Sequence, residues 1–265
     1  MPDKVELSIQ QFIDAWRVLC AAAPGYACHS QTGAECLFSG MPIAFFNAVI
    51  LTGRGLSFDA LQTQAENARA WADGRGVPWT LIVTQEAVHT GVDHSASLAA
   101  CGYAQVMPLT GMFAQRVAPV ERVPDGLELK LATDDVACAA ILDVNAAAYA
   151  MSFDAAHEVW GKAAFWRHHT GVLGSTGGRP VTSTAVMKVA GHRYVALVAT
   201  VPSQQRRGYA DAAMRYALEL SRESYGELPT FLHSSEAGRP VYERMGYQTV
   251  ARHYIYMDQK FLGEH

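Results

Sequence analysis

The sequence predicts an α/β (α+β) protein of two domains, each a twisted mixed sheet flanked by helices. Three observations carry this expectation. Short apolar runs bounded by Gly and Pro alternate with amphipathic stretches of helical period along the 265 residues. The order of elements repeats. In both halves a long apolar strand, a helix, a second strand and a short helix closed by Gly-Tyr precede a last strand, so that Cys101-Gly102-Tyr103 matches Met245-Gly246-Tyr247. Pro119, Pro124 and Gly126 then mark a linker, giving domains 1–121 and 122–265.

In the first half, Ile9, Phe12, Ile13, Trp16, Leu19 and Cys20 recur at three- and four-residue steps, which predicts an amphipathic helix from Leu7 to Ala23. Pro24-Gly25-Tyr26 breaks it. Strands are expected over 26–31, 34–38 and 43–52, the last being the most apolar and hence central. Ser57 can cap a helix running through Leu61, Ala65 and Ala68 to Gly74. A buried strand over 78–84, a short helix over 95–101 and a final strand over 104–115 complete this half. Phe45, Phe46, Asn47 and Trp79 suit either a cleft or the core of this domain.

The second half opens with Leu127-Glu128-Leu129-Lys130-Leu131, which alternates with the period of a strand. Asp134-Asp135 can cap a long helix to about Met151, and a further helix is expected over 153–165. Strands near 170–174, 180–190 and 193–201, separated by Gly-rich turns, lead to Gln205-Arg206-Arg207-Gly208-Tyr209-Ala210 and a helical pattern from Asp211 to Glu223. This is strand, tight loop, helix. The start of a helix exposes unpaired N–H groups and about half a positive charge, Gly208 and Ala210 let an anion approach the main chain, and Arg206 and Arg207 add full charge. The loop therefore predicts a bound phosphate ester.

A short strand over 229–234 follows, then Val241-Tyr242-Glu243-Arg244-Met245-Gly246-Tyr247. The combination of V-P-x-x-Q-x-x-G-x-A (Val201 to Ala210) with this later V-Y-E-R-M-G-Y resembles the GCN5-related N-acetyltransferase (GNAT) superfamily. The resemblance covers the second half and is only echoed in the first, whose equivalent loop, Thr52-Gly53-Arg54-Gly55-Leu56-Ser57, lacks both the Gln and the Gly-x-Ala spacing. The first half is thus expected to be a degenerate copy without a coenzyme site, in a tandem arrangement.

The resemblance implies acetyl-CoA as acyl donor, with its pyrophosphate on the N–H groups of Arg206, Arg207, Gly208, Tyr209 and Ala210, and Gln205 in the motif. It also implies that backbone N–H groups of Ala199, Thr200 and Val201 hold the acyl carbonyl and the pantetheine, acting as an oxyanion site. Tyr242 occupies the place of the tyrosine that protonates the departing thiolate. Ser235 stands where an asparagine is common and can cap the helix or meet the pantetheine, while Arg239 can touch a phosphate or pair with Glu243. Where some members carry a glutamate before the loop this chain has Tyr194, so the amine proton is left to His233, His192 or a water chain, His233 being the better placed. The acceptor is expected to be a small amine.

Lys plus Arg (21) against Asp plus Glu (25) gives a net charge of −4, which offers no general hold on nucleic acid or an acidic membrane. The beginning, Met1-Pro2-Asp3-Lys4, shows no basic and apolar leader, and a cytoplasmic location is expected by default. The five cysteines are scattered and read as buried free thiols, and no histidine spacing predicts a metal. Absence of G-K-[ST] and of G-x-G-x-x-G speaks against a nucleotide as the ligand. Two rival functions stay open at this level: a non-catalytic acyl-CoA sensor and a nucleotide-binding regulatory protein.

Overall fold

The computed structural model describes residues 3–120 and 122–263; Met1, Pro2 and Glu121, which entered the leader and linker readings, lie outside the described residues. Two compact units emerge, and they cut the chain differently from a single division at 121/122. The first comprises 1–112, 233–239 and 249–265, and the second 113–232 and 240–248. Both contain mixed sheets flanked by helices, as the sequence predicts.

In the first unit α1 (Lys4–Ala21) starts at Asp3, whose side chain accepts from Val5 N, and buries the expected Ile9, Phe12, Ile13, Trp16, Leu19 and Cys20. Strands β1 (Ala27–Gln31), β2 (Ala34–Phe38) and β3 (Asn47–Leu51) are antiparallel neighbours, and β3 pairs in parallel with β4 (Thr80–Thr84). The sheet continues through β11 (Gln248–Asp258) to β5 (Tyr103–Ala114). That last insertion explains the divided units. Strand β11 runs antiparallel to β4 with Ile255 opposite Ile82 and Tyr256 opposite Leu81, so the end of the chain completes the first sheet. Linear reading cannot see such a pairing, because both strands carry the same apolar alternation whichever partner they take.

Helix α2 (Phe58–Ala72), capped by the Ser57 hydroxyl on Ala60 N, lays Leu61, Ala65, Ala68 and Ala72 on this sheet, and α3 (His94–Ala100) follows β4. Phe46, Asn47 and Trp79 are core residues here. Asn47 gives its amide to the carbonyls of Met41, Ile43 and Pro78, and the Trp79 indole donates to Asp73 Oδ1 at 3.0 Å. Residues 44–46 form a 3₁₀ turn, which shortens the expected strand at its start. Cys20, Cys36 and Cys138 are buried, and burial pushes the first two thiols up to about 12; Cys28, against expectation, is exposed.

The second unit has the order β10-β9-β8-β7-β6. Strands β6 (Leu127–Leu131), β7 (Thr170–Thr176), β8 (Arg179–Val189) and β9 (His192–Thr200) are antiparallel, and β9 pairs in parallel with β10 (Thr230–Ser234). Helix α4 (Asp135–Tyr149), capped by Asp134 on Ala137 N, sets Cys138 and Ile141 against Ala185 and Trp166. Helix α7 (Tyr209–Tyr225) sets Tyr209 and Ala212 against Val181 and Leu127. The single helix expected over 153–165 is instead α5 (Asp154–His157) and α6 (Ala163–Trp166). Trp160 is wholly buried between them and its carbonyl accepts the Trp166 indole N–H at 2.6 Å, a contact that a continuous helix would forbid. Helix α8 (Arg239–Arg244) precedes β11.

Candidate active site

Strand β9 is irregular at its centre. Ser183 pairs with Ala199 and Ala185 with Ala196, so Leu197 and Val198 together face the single residue Thr184 in a β-bulge. Leu197 has a left-handed backbone, φ +50°. On its other side β9 pairs with β10 only at Arg193 and Tyr194, opposite Thr230 and Phe231. Beyond Tyr194 no further ladder pair joins the two strands among the described residues, so the length of β9 from Val195 to Thr200 has an open side.

The direction of each N–H on that length follows from the ladder. Val201 N donates to Val181 O at 2.9 Å, which makes 201 and 181 a hydrogen-bonded pair and turns Ala199, two residues earlier, toward β8 as well. The expectation that Val201 offers its N–H to a ligand is therefore corrected, and Ala199 follows it by alternation. Thr200 points its N–H the other way, to the open side. Its hydroxyl meets that of Thr182 at 2.9 Å and its carbonyl accepts from Gln205 Nε2 at 3.2 Å. Gln205 thus ties the strand end to the loop.

The loop has the form that the sequence predicts. Pro202 to Gln204 make a 3₁₀ turn, Gln205 is extended, and Arg206 (φ +62°) and Gly208 (φ +79°) are both left-handed. Helix α7 begins at Tyr209 with no side chain capping it. Among the described residues the N–H groups from Arg206 to Asp211 have no hydrogen-bond partner in the protein, and neither the Arg206 nor the Arg207 guanidinium is engaged. Alternating left-handed residues turn successive amides into one concavity at the positive end of a 17-residue helix, a geometry suited to an anion.

The first-half counterpart is closed. Leu56 is buried there, its N–H donates to Ala87 O and its carbonyl accepts from His89 N. The Ser57 hydroxyl caps the helix and Arg54 is paired with Asp3. Beta-carbons on Gly53 or Gly33 would run into the Gln64 side chain at 2.8 and 2.4 Å, so that side chain fills the remaining space.

Tyr242 is only 8% exposed, in α8. Its ring lies 6.0 Å from that of Tyr247, and its hydroxyl makes no hydrogen bond to protein among the described residues. Burial, with Tyr149 and Tyr247 nearby, raises the phenol far above its ordinary value, so it stays protonated. Tyr194, where a carboxylate was sought, is buried in the ladder and pushed up by desolvation. It supplies no base.

His233, Ser235 and Arg239 fall within the first compact unit. Ser235 begins the turn into α8, its Oγ accepting from Gly238 N, and Arg239 approaches Glu236 at 3.9 Å. His233 stacks on Phe12 at 4.1 Å, and its Nε2 lies 3.2 Å from Ser8 Oγ. The same hydroxyl is 2.8 Å from Nε2 of buried His253, whose Nδ1 meets Thr84 Oγ1 at 3.0 Å. A serine can donate to one ring and accept from the other, which joins four side chains in one neutral chain. Gly111 permits it, since a Cβ there would strike Ser8 Oγ at 2.1 Å. Sequence reading missed Ser8 and His253, although Ser8 is a polar residue on the apolar face of α1.

Burial lowers both imidazoles, His253 to about 3 and His233 well below 6.5, with the neighbouring ring adding to the second. In the unfolded chain both titrate near 6.5. Stability is therefore complete above that pH and is lost as pH drops below 6.5, for His253 down to about 3, with both histidines contributing in the same direction. Thermal denaturation between pH 7 and 4 is expected to show this slope, and His253→Gln to flatten it. An unchanged slope in that variant would refute the assignment. His192 lies at the far end of β9 from the loop, its Nδ1 near Ala190 O at 3.0 Å.

Among the described residues no cluster of three or more His, Cys, Asp or Glu is placed to hold a metal ion, and no helix is long and apolar enough to cross a membrane. Residues 168–258 match the domain described as acetyltransferase (GNAT), which makes this protein an acyltransferase. The matched residues lie wholly within the second half of the chain. Solved structures share the fold along nearly the whole chain. A GCN5-related N-acetyltransferase from Kribbella flavida is 18% identical with a TM-score of 0.71, covering 97% of this chain and 96% of its own. Another from Sphaerobacter thermophilus is 13% identical with a TM-score of 0.61, covering 85% and 76%. A tandem GNAT protein from the clavulanic acid biosynthesis pathway is 14% identical with a TM-score of 0.55, covering 95% and 94%. No curated protein matches in sequence.

Proposed function

We propose that the second half of the chain, 122–265, is an acetyl-CoA-dependent N-acetyltransferase domain acting on a small amine, and that the first half, 1–121, is a degenerate GNAT-like domain. The observation that carries this reading is the run of unspent amides from Arg206 to Asp211 at the start of α7, beside the open length of β9. In this reading those amides form a nest that holds the pyrophosphate, with Arg206 and Arg207 around it, and the open side of β9 receives the pantetheine. The amine nitrogen attacks the thioester carbonyl, the carbon–sulfur bond breaks, and the thiolate takes the Tyr242 phenol proton. The proton lost by the amine goes to water, because His233 is held neutral against protonation and makes a weak acceptor.

Thermal shift is the first test. Acetyl-CoA is expected to raise Tm by several degrees at concentrations where ATP and NAD do not. Stabilisation by ATP or NAD alone would point to a nucleotide-binding regulator instead. Amine-dependent release of CoA then separates the enzyme from a silent acyl-CoA sensor, which would bind the coenzyme without turnover. Because Leu56 and Gln64 close the first-half loop, calorimetric titration is expected to saturate at one acetyl-CoA per chain, with Arg54→Ala leaving the affinity unchanged. Two sites per chain would contradict the degenerate assignment.

A further inference from the structure

The bulge in β9 is held from below by α4. Asn145 Nδ2 donates to Leu197 O at 3.4 Å, to Ser183 Oγ at 3.0 Å and to Ile141 O at 2.8 Å. Ser183 Oγ donates to the same Leu197 carbonyl at 3.0 Å. One helical turn after Asn145, Tyr149 Oη donates to Val198 O at 2.8 Å. Two successive carbonyls of the bulge are thus fixed by one face of one helix. Asn145 is 0% exposed, and its Oδ1 has no partner. A buried amide with an unmet acceptor costs stability. It sits on a stripe with Cys138, Ile141 and Leu142, where an aliphatic residue would suit packing better.

Peptide geometry says what this arrangement does. In a planar trans peptide the carbonyl of one residue and the N–H of the next point to opposite sides. Holding Leu197 O against Asn145 and Ser183 therefore turns the Val198 N–H away from them. The left-handed backbone of Leu197, unfavourable for a branched residue, needs such a hold to persist. We propose that Asn145 and Ser183 are positioning residues that aim the Val198 N–H at the thioester carbonyl oxygen by anchoring the Leu197 carbonyl. This rests on the acetyl-CoA reading above.

The test uses the full chain with acetyl-CoA carrying a ¹³C-labelled carbonyl. Infrared difference spectra of the wild-type complex are expected to show the thioester stretch lowered by hydrogen bonding. Asn145→Leu is expected to bring it back toward the value in solution and to lower kcat about 10-fold or more, with KM for acetyl-CoA within about threefold. Ser183→Ala is expected to do the same to a smaller degree, and it decides the matter if Asn145→Leu does not fold. A lowered Tm with unchanged stretch and kcat in the variant that folds would overturn the proposal and leave both residues structural. Should wild type not bind acetyl-CoA, the underlying reading fails; should it bind and turn over while the variants match it, only this inference does.

Discussion

Replacing Tyr242 by phenylalanine is expected to lower kcat by about 100-fold, the lower end for loss of a general acid, while acetyl-CoA affinity stays within about threefold. A CoA thiolate is a moderate leaving group, with a thiol pKa near 8.5, so partial departure without a proton remains open to it and the loss is bounded. Burial keeps the phenol protonated throughout the working range, and the same shift makes it a weaker acid toward the thiolate, so the proton moves only as the carbon–sulfur bond breaks. For the same reason its own titration adds no alkaline limb to the rate below about pH 10. The variant also separates chemistry from packing. The hydroxyl has no hydrogen-bond partner in the protein among the described residues, so its removal is expected to leave Tm unchanged or slightly raised. Steady-state rates with acetyl-CoA and the acceptor, beside a denaturation curve, check all three expectations. Retention of more than about half the wild-type kcat would remove Tyr242 from the mechanism.

Gly208→Val is expected to raise the Kd for acetyl-CoA at least 30-fold, roughly 2 kcal/mol, and to cost about 1–2 kcal/mol of stability. Space is not the cause, since the nearest atom to an added Cβ is Pro124 Cγ at 3.7 Å. Backbone conformation is. A φ of +79° is open to glycine and strongly disfavoured for a β-branched residue, so valine would draw the loop back to negative φ. With it would go the alternation of Arg206 and Gly208 that turns the amides toward one point. Gly208→Ala, with less steric conflict, is expected to fall between valine and wild type. Calorimetry with acetyl-CoA and with 3′,5′-ADP is the check: the amide nest predicts that both ligands weaken together. If acetyl-CoA binds the valine variant as tightly as wild type, the loop is not the anion site.

Much of the scaffold was readable in sequence because its signals are local. Ser57, Asp134 and Gly208 mark helix starts through their own side chains or backbone freedom, and the residues recur where the caps and the left-handed turn are found. Leu127 to Leu131 alternates and is a strand over those residues. The bulge was not readable. Ala196-Leu197-Val198-Ala199 is an unbroken apolar run, and nothing in it says that Leu197 leaves the ladder. Asn145 did leave a trace, as a polar residue on the apolar stripe of an alanine-rich helix. The direction of individual N–H groups was out of reach, and so Val201 was assigned to the ligand although Val181 takes its amide.

The amino-acid string alone determined the strand, loop and helix around 205–210, a two-fold succession of strands and helices, and the place of Tyr242 on the last helix, since each depends on residues near one another in the chain. Three-dimensional packing settled the rest. It placed β11 beside β4, ended the pairing of β9 with β10 at Tyr194, closed the first-half loop with Leu56 and Gln64, and buried His233 against Ser8 and Phe12. These are contacts between distant segments, chosen by the free energy of the whole fold, and a backbone amide carries no mark in sequence of which carbonyl will claim it.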